Sequence, residues 1–207
     1  MRVAILSESS SDEAALRIIA DAVLGVTTTA VPGLPLRGRG YSATRATLAT
    51  IIPFLHYKTE ADGLIVVVDS NHTSLEPSAQ RNRLSDLRGM ARAACEKLRP
   101  VPGRIPLRVA VGVAMPAIEA WLLCKHHSDV SEATWERALR DKREPYSKLD
   151  LKRRLYGVDY ASLGLMTEKM VAAARDVARN LADVERLFPR GFGSLTEQLR
   201  EWRRVGS

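Results

Sequence analysis

The run Gly63-Leu64-Ile65-Val66-Val67-Val68 constrains this chain more than any other segment. It is apolar on both faces and closed by Asp69, the composition of a strand buried in the middle of a parallel sheet. Such a strand needs helices on both sides, and the flanking sequence supplies them. Val3–Leu6 is a second short apolar run, ended by Ser7-Glu8-Ser9-Ser10, and predicts a buried strand entering a turn. Ser10-Ser11-Asp12-Glu13 has the spacing of a capping box, and Ala15, Leu16, Ile18, Ile19, Ala22 and Val23 then recur at helical spacing up to Gly25. Residues 27–31 are β-branched and predict another strand, before an irregular Pro- and Gly-rich loop that carries Arg37 and Arg39. Residues 44–57 read as a helix despite Pro53.

Beyond Asp69 a polar loop to Pro77 leads into a helix with Ser78 as N-cap and Leu84, Leu87, Ala91, Ala94 and Leu98 on one face. Residues 107–113 predict a further strand, and Pro116 the first residue of a helix over 117–125. Strand and helix thus alternate four times. That alternation predicts an α/β fold, a parallel sheet flanked by helices, with ligands bound beyond the carboxyl ends of its strands. After His127 no strand is predicted, and helices are broken at Gly157, at Gly164 and at the Pro189–Gly193 segment. The longest spans 167–188, with an apolar stripe of Met170, Val171, Ala174, Val177, Ala178, Leu181, Val184 and Phe188. With 207 residues, the chain reads as one domain: an α/β core over 1–127 and a C-terminal helical extension over 128–207 packed on it.

Composition narrows the function classes. Apolar residues at 45% and charged residues at 27% exclude wholesale disorder and a disulfide scaffold, and the net charge of +7 favours polyanionic partners. Cys95 and Cys124 sit among apolar residues, which predicts buried thiols rather than a bridge and suits a reducing compartment. No apolar run approaches membrane length, and the one after Met1 is too short for a signal peptide, so the expected location is cytoplasmic, with no membrane partner.

Three acidic positions fall where a site belongs: Glu8 after the first strand, Asp69 with Asn71 after the central strand, and Glu119 in the helix after the last strand. Mg²⁺ takes oxygen ligands and keeps several waters, so two or three carboxylates from different strand ends suffice to hold it, and Mn²⁺ serves as its substitute. Each position also has an ordinary explanation. Acids after strands make turns and cap helices, and Glu13 is best explained as the capping-box acid with Asp12 as a first-turn acid suited to the helix dipole. Glu8 precedes the cap and has no such duty. Asp69 ends an aliphatic strand and needs a partner if buried, while Glu119 lies between the directions of Leu122 and Leu123, where an arginine is the ordinary compensation.

Other motifs carry less. His72 in a polar loop is ordinarily solvated, Cys124, His126 and His127 lack the further ligands of a zinc site, and Gly38-Arg39-Gly40 lacks the lysine of a Walker loop. Arg81, Arg83, Arg88, Arg92, Lys97 and Arg99 follow Asp69, and Lys148, Lys152, Arg153 and Arg154 form a second basic cluster. A solvated helix face explains such clusters by default. If they face the acids, Arg37, Arg39, Arg81, Arg83, Lys148 and Lys152 are the candidates for holding a nucleic-acid backbone. With 5% aromatics, base stacking is not favoured.

Taken together, Glu8 with Ser11-Asp12-Glu13, Asp69-Ser70-Asn71 after an aliphatic strand, and Ile118-Glu119-Ala120-Trp121-Leu122-Leu123 resemble the pattern of toprim-like proteins. More narrowly, they resemble uncharacterised bacterial toprim-like proteins related to the nuclease domain of the overcoming-lysogenisation-defect proteins. The Leu187-Phe188-Pro189-Arg190-Gly191-Phe192 segment is similar to that family's C-terminal part. The resemblance implies Mg²⁺-dependent breakage of phosphodiester bonds in nucleic acid, with phage defence as one setting. Glu8 would be the glutamate after the first strand and Asp69 the first acid of an Asp-x-Asp pair. Asn71 replaces the second acid and Ser9 stands where a glycine is common, so the alternative implied is a binding subunit that has lost catalysis and serves a protein partner of a defence or mobile-element system.

Overall fold

The computed structural model describes residues 1–32, 40–79, 82–123 and 126–204. Among these, three strands form one parallel sheet, β1 (Val3–Leu6), β2 (Gly63–Asp69) and β3 (Arg108–Ala114), in the order β1-β2-β3. The aliphatic β2 is central, as its two apolar faces require, and Gly63 to Val68 are all buried. Pairing runs from Val3 opposite Gly63 to Leu6 opposite Val66, and from Gly63 opposite Arg108 to Asp69 opposite Ala114. All three strands therefore end at one edge of the sheet.

Helices α1 (Ser10–Leu24), α2 (Gly40–Lys58), α3 (Arg83–Cys95) and α4 (Ile118–Leu123) connect and flank the strands. The α/β class and the parallel sheet between helices are as the sequence predicts, with differences in detail. Residues 27–31 contribute a single parallel bridge, Thr29 to Arg2, rather than a strand, because one main-chain pairing closes the turn before the chain leaves the sheet edge. α2 tolerates Pro53, begins earlier than expected at Gly40 and ends at Lys58. α3 is capped by Asn82, whose side chain accepts from the Ser85 N–H, and not by Ser78. Pro116 lies outside α4 rather than at its first position, and the helix starts at Ile118. Arg37, Arg39, Arg81 and Cys124 lie outside the described residues.

The C-terminal part is helical: α5 (Glu132–Arg140), α6 (Lys148–Tyr156), α7 (Leu163–Arg179), α8 (Leu181–Leu187), a π-helical turn at Pro189–Gly193 and α9 (Ser194–Arg204). The helix expected over 167–188 is two helices that meet at Asn180, and Gly164 lies inside α7 rather than breaking it. α7 packs along α1, and α9 packs on α1 and β3. The free edge of β3 is closed by a side chain: Val111 N–H donates to Gln198 Oε1 at 3.1 Å, and Gln198 Nε2 donates to the Val111 carbonyl at 3.0 Å. No helix among the described residues is long and apolar enough to cross a membrane.

Two buried glutamates on α5 bind main-chain groups, Glu132 those of the π-helical turn and Glu136 those of the loop after β2. Glu132 accepts from the main-chain N–H groups of Arg190 and Gly191, and Glu136 accepts from Leu75 N–H and Ser74 Oγ, both at 2.7 Å. The π-helical turn thereby sits against the sheet, and a Cβ at Gly191 would run into the Val113 carbonyl oxygen. Gly191→Ala is expected to cost about 1–3 kcal/mol or more, read as a lowered urea midpoint with an unchanged slope.

Candidate acidic site at the strand ends

Strand register gathers the acids. Glu8 follows β1, Asp69 ends β2, and the chain after β3 turns into α4 with Glu119 in its first turn. Asp69 organises the group. Its Oδ1 accepts the Ile118 N–H at 3.2 Å, its Oδ2 receives Lys148 Nζ at 2.6 Å, and its own N–H lies 3.4 Å from Glu8 Oε1. Arg83 Nη1 donates to the Asp69 carbonyl at 2.8 Å. Glu119 is 5% exposed, more deeply buried than the half-covered position that its place between the directions of Leu122 and Leu123 predicts. Its partner is not an arginine: the Tyr156 hydroxyl donates to Glu119 Oε1 at 3.1 Å, and Lys152 supplies the nearby positive charge.

The capping arrangement differs from the sequence expectation by one residue. Ser9 is the N-cap of α1, and Asp12 closes the box by accepting from the Ser9 N–H at 2.9 Å. Glu13 instead pairs with Arg17 at 3.0 Å. The shift follows from helical geometry. The N3 side chain of a helix that begins at Ser10 points back towards the strand end, and in this fold the strand end is acidic. Asp12 thus joins the cluster, a residue that cap reasoning had set aside. Tyr156 carried no signal in the sequence.

Crowding shows in the proton affinities. Burial, and then the charge of Asp69, raises the Glu8 carboxyl. Burial above all pushes Asp12 up to about 7, against its hydrogen bonds from Ser9 and with help from the charges of Asp69 and Glu119. Burial and Asp69 also raise Glu119. The Tyr156 hydroxyl is raised by burial and by the Glu119 charge it faces. Taking charge out of water and placing it beside like charge both favour the protonated acid. The site is a set of carboxylates short of positive charge.

Lys148 and Lys152, one turn apart on α6, supply part of what is missing, which accounts for two of the basic residues nominated from sequence as backbone contacts. Arg88 turns inward to the Ser194 hydroxyl and so does not belong to a solvated face. Asn71 adopts a left-handed φ of +53°, which Asn accepts more readily than most residues, and its N–H donates to the Pro116 carbonyl at 3.0 Å. The ties seen there are main-chain ones. His72, an exposed side chain, lies 3.0 Å from Glu144.

The oxygen-only donors suit a hard cation such as Mg²⁺ and not zinc. Glu8 and Asp69 are adjacent and partly accessible, and Mg²⁺ is commonly held by one or two carboxylates with water and substrate completing its shell. The fit stops at those two. Among the described residues no three His, Cys, Asp or Glu side chains come together in an arrangement that could hold a metal ion, and the Lys148 ammonium covers one oxygen of Asp69. No family model matches the chain, and neither does any curated protein or solved structure.

Proposed function

We propose that the acidic site binds Mg²⁺ or Mn²⁺ through Glu8 and Asp69, with Asn71 as a weaker oxygen donor, and cleaves phosphodiester bonds of nucleic acid. The observation that carries this reading is the convergence of Glu8, Asp12, Asp69 and Glu119 at the edge where three parallel strands end, where burial first, and then the repulsion of neighbouring charge, that of Asp69 above all, raises the other three carboxyls. A divalent ion would relieve that repulsion, and when bound it would draw charge from a phosphodiester oxygen and orient the attacking water. Glu119 acts as a positioning residue through Tyr156, keeping α6 and its lysines over the site. Lys148, which pairs with Asp69, would be placed to meet the negative charge of a substrate phosphate. Asp12, titrating near neutrality, is suited to pass a proton to the departing oxygen.

Two observations favour a second reading, a toprim-like binding subunit without catalysis, working with a partner in a defence or mobile-element system. Lys148 already neutralises Asp69, and Asn71 lacks the charge of an acid. Calorimetry with MnCl₂ separates the two. The first reading expects binding by the wild type, loss of binding in Asp69→Ala, and tighter binding in Asn71→Asp. If the wild type takes up no Mn²⁺, the metal-dependent reading fails and the binding subunit stands.

A further inference from the structure

A cavity of about 570 Å³ lies between the starts of α2 and α3 and the loop after β2. It is separate from the carboxylate cluster but shares a wall with it. Arg83 lines the cavity, donates to the Asp69 main-chain oxygen, and lies close enough to Glu8 for its charge to pull that carboxyl down. Its guanidinium sits 4.7 Å over the Tyr41 ring, so stacking holds the plane of the fork. Arg45 lines the same cavity, half exposed, with Nε on Asp86 at 2.9 Å. The Tyr41 hydroxyl donates to the same Asp86 oxygen. Asp86 thus orients one arginine and the ring that carries the other. Thr73 and Ser85 add hydroxyls to the wall.

Two guanidinium forks in one cavity suit a phosphate, which they meet through paired N–H donors. The neighbouring acids make the need plain. A polyanion approaching Glu8 and Asp69 is repelled unless cations take its adjoining phosphates. Lys148 is held by Asp69 and Lys152 lies near Glu119, whereas Arg83 makes no ion pair among the described residues and Arg45, with its Nε on Asp86, is half exposed in the cavity. We propose that this cavity is the subsite for the phosphate next to the one being cleaved, held by Arg83 and Arg45 and oriented by Tyr41. The proposal rests on reading the site as one that acts on nucleic acid.

The test uses the full chain and a labelled oligonucleotide, single-stranded and duplex, in EDTA, with affinity followed by fluorescence anisotropy across a NaCl series. Arg45→Gln and Arg83→Gln should each weaken binding about tenfold, the loss of one charged hydrogen-bond partner. Each should also lower the slope of log K against log salt by about 1. Arg83→Lys should recover the slope without the full affinity. Arg45→Gln, which leaves Asp69 untouched, should keep the wild-type response to MnCl₂. Wild-type binding that neither variant changes overturns the subsite and leaves the nucleic-acid reading standing. A wild type that binds Mn²⁺ but no oligonucleotide overturns both, and leaves a metal site.

Discussion

Asp12→Asn should be more stable than the wild type at neutral pH, and the advantage should vanish in acid. In the unfolded chain Asp12 loses its proton near 3.8, whereas in the folded chain it keeps it up to about 7. Between those values the folded state binds more protons, so stability falls as pH rises through the window. Below it both states are protonated and the term is absent. The largest gain for the asparagine variant above the window is about 4 kcal/mol, from 1.36 kcal/mol for each pH unit. Losing a negative charge from the first turn of α1 offsets about 0.3–1 kcal/mol of that. Asparagine keeps an oxygen for the Ser9 N–H, so the cap survives. Thermal melts of both proteins from pH 3 to pH 8 give the comparison. A variant that tracks the wild type at every pH would show that Asp12 is not a strained acid. Saturating Mg²⁺ should narrow the gap at neutral pH, because a bound cation would supply the charge that Asp12 and its neighbours lack.

Trp121→Ala should lower stability by about 3–5 kcal/mol, the cost of a cavity where a large aromatic was enclosed. Trp121 is fully buried on α4 and meets Phe192 edge-to-face at 5.2 Å. That contact joins the helix bearing Glu119 to the π-helical turn whose Gly191 rests on β3. The loss should therefore reach the site as well as the core. Urea titration should show a lowered midpoint, and Trp121→Phe, which keeps a ring against Phe192, should recover part of it. A loss below about 1 kcal/mol would mean that the turn and α4 are not coupled through this pair.

Local sequence determined the class of fold. Residues 63–68 can be covered only by helices on both sides, so a parallel α/β sheet follows from their composition, and Glu8, Asp69 and Glu119 follow as acids at strand ends from their place after apolar runs. The bridge at Thr29 in place of a strand, and the cap at Ser9 rather than Ser10, turned on which main-chain groups met, and propensity does not report that. Asn180 divides a stripe whose period runs through it, because helical spacing records which face is buried and not where the axis bends.

What only the tertiary structure decided is the electrostatics of the site. Tyr156 on Glu119 and Lys148 on Asp69 join residues 37 and 79 positions apart. Their pairing depends on how α6 docks against α4, a matter of packing between helices that no local pattern encodes. The same holds for Asp12, whose role as a helix cap is local and whose raised proton affinity comes from burial and from charges on two other elements. Sequence places a carboxylate at a strand end, but Coulomb interactions and desolvation depend on distances through space, and these exist only once the chain has folded.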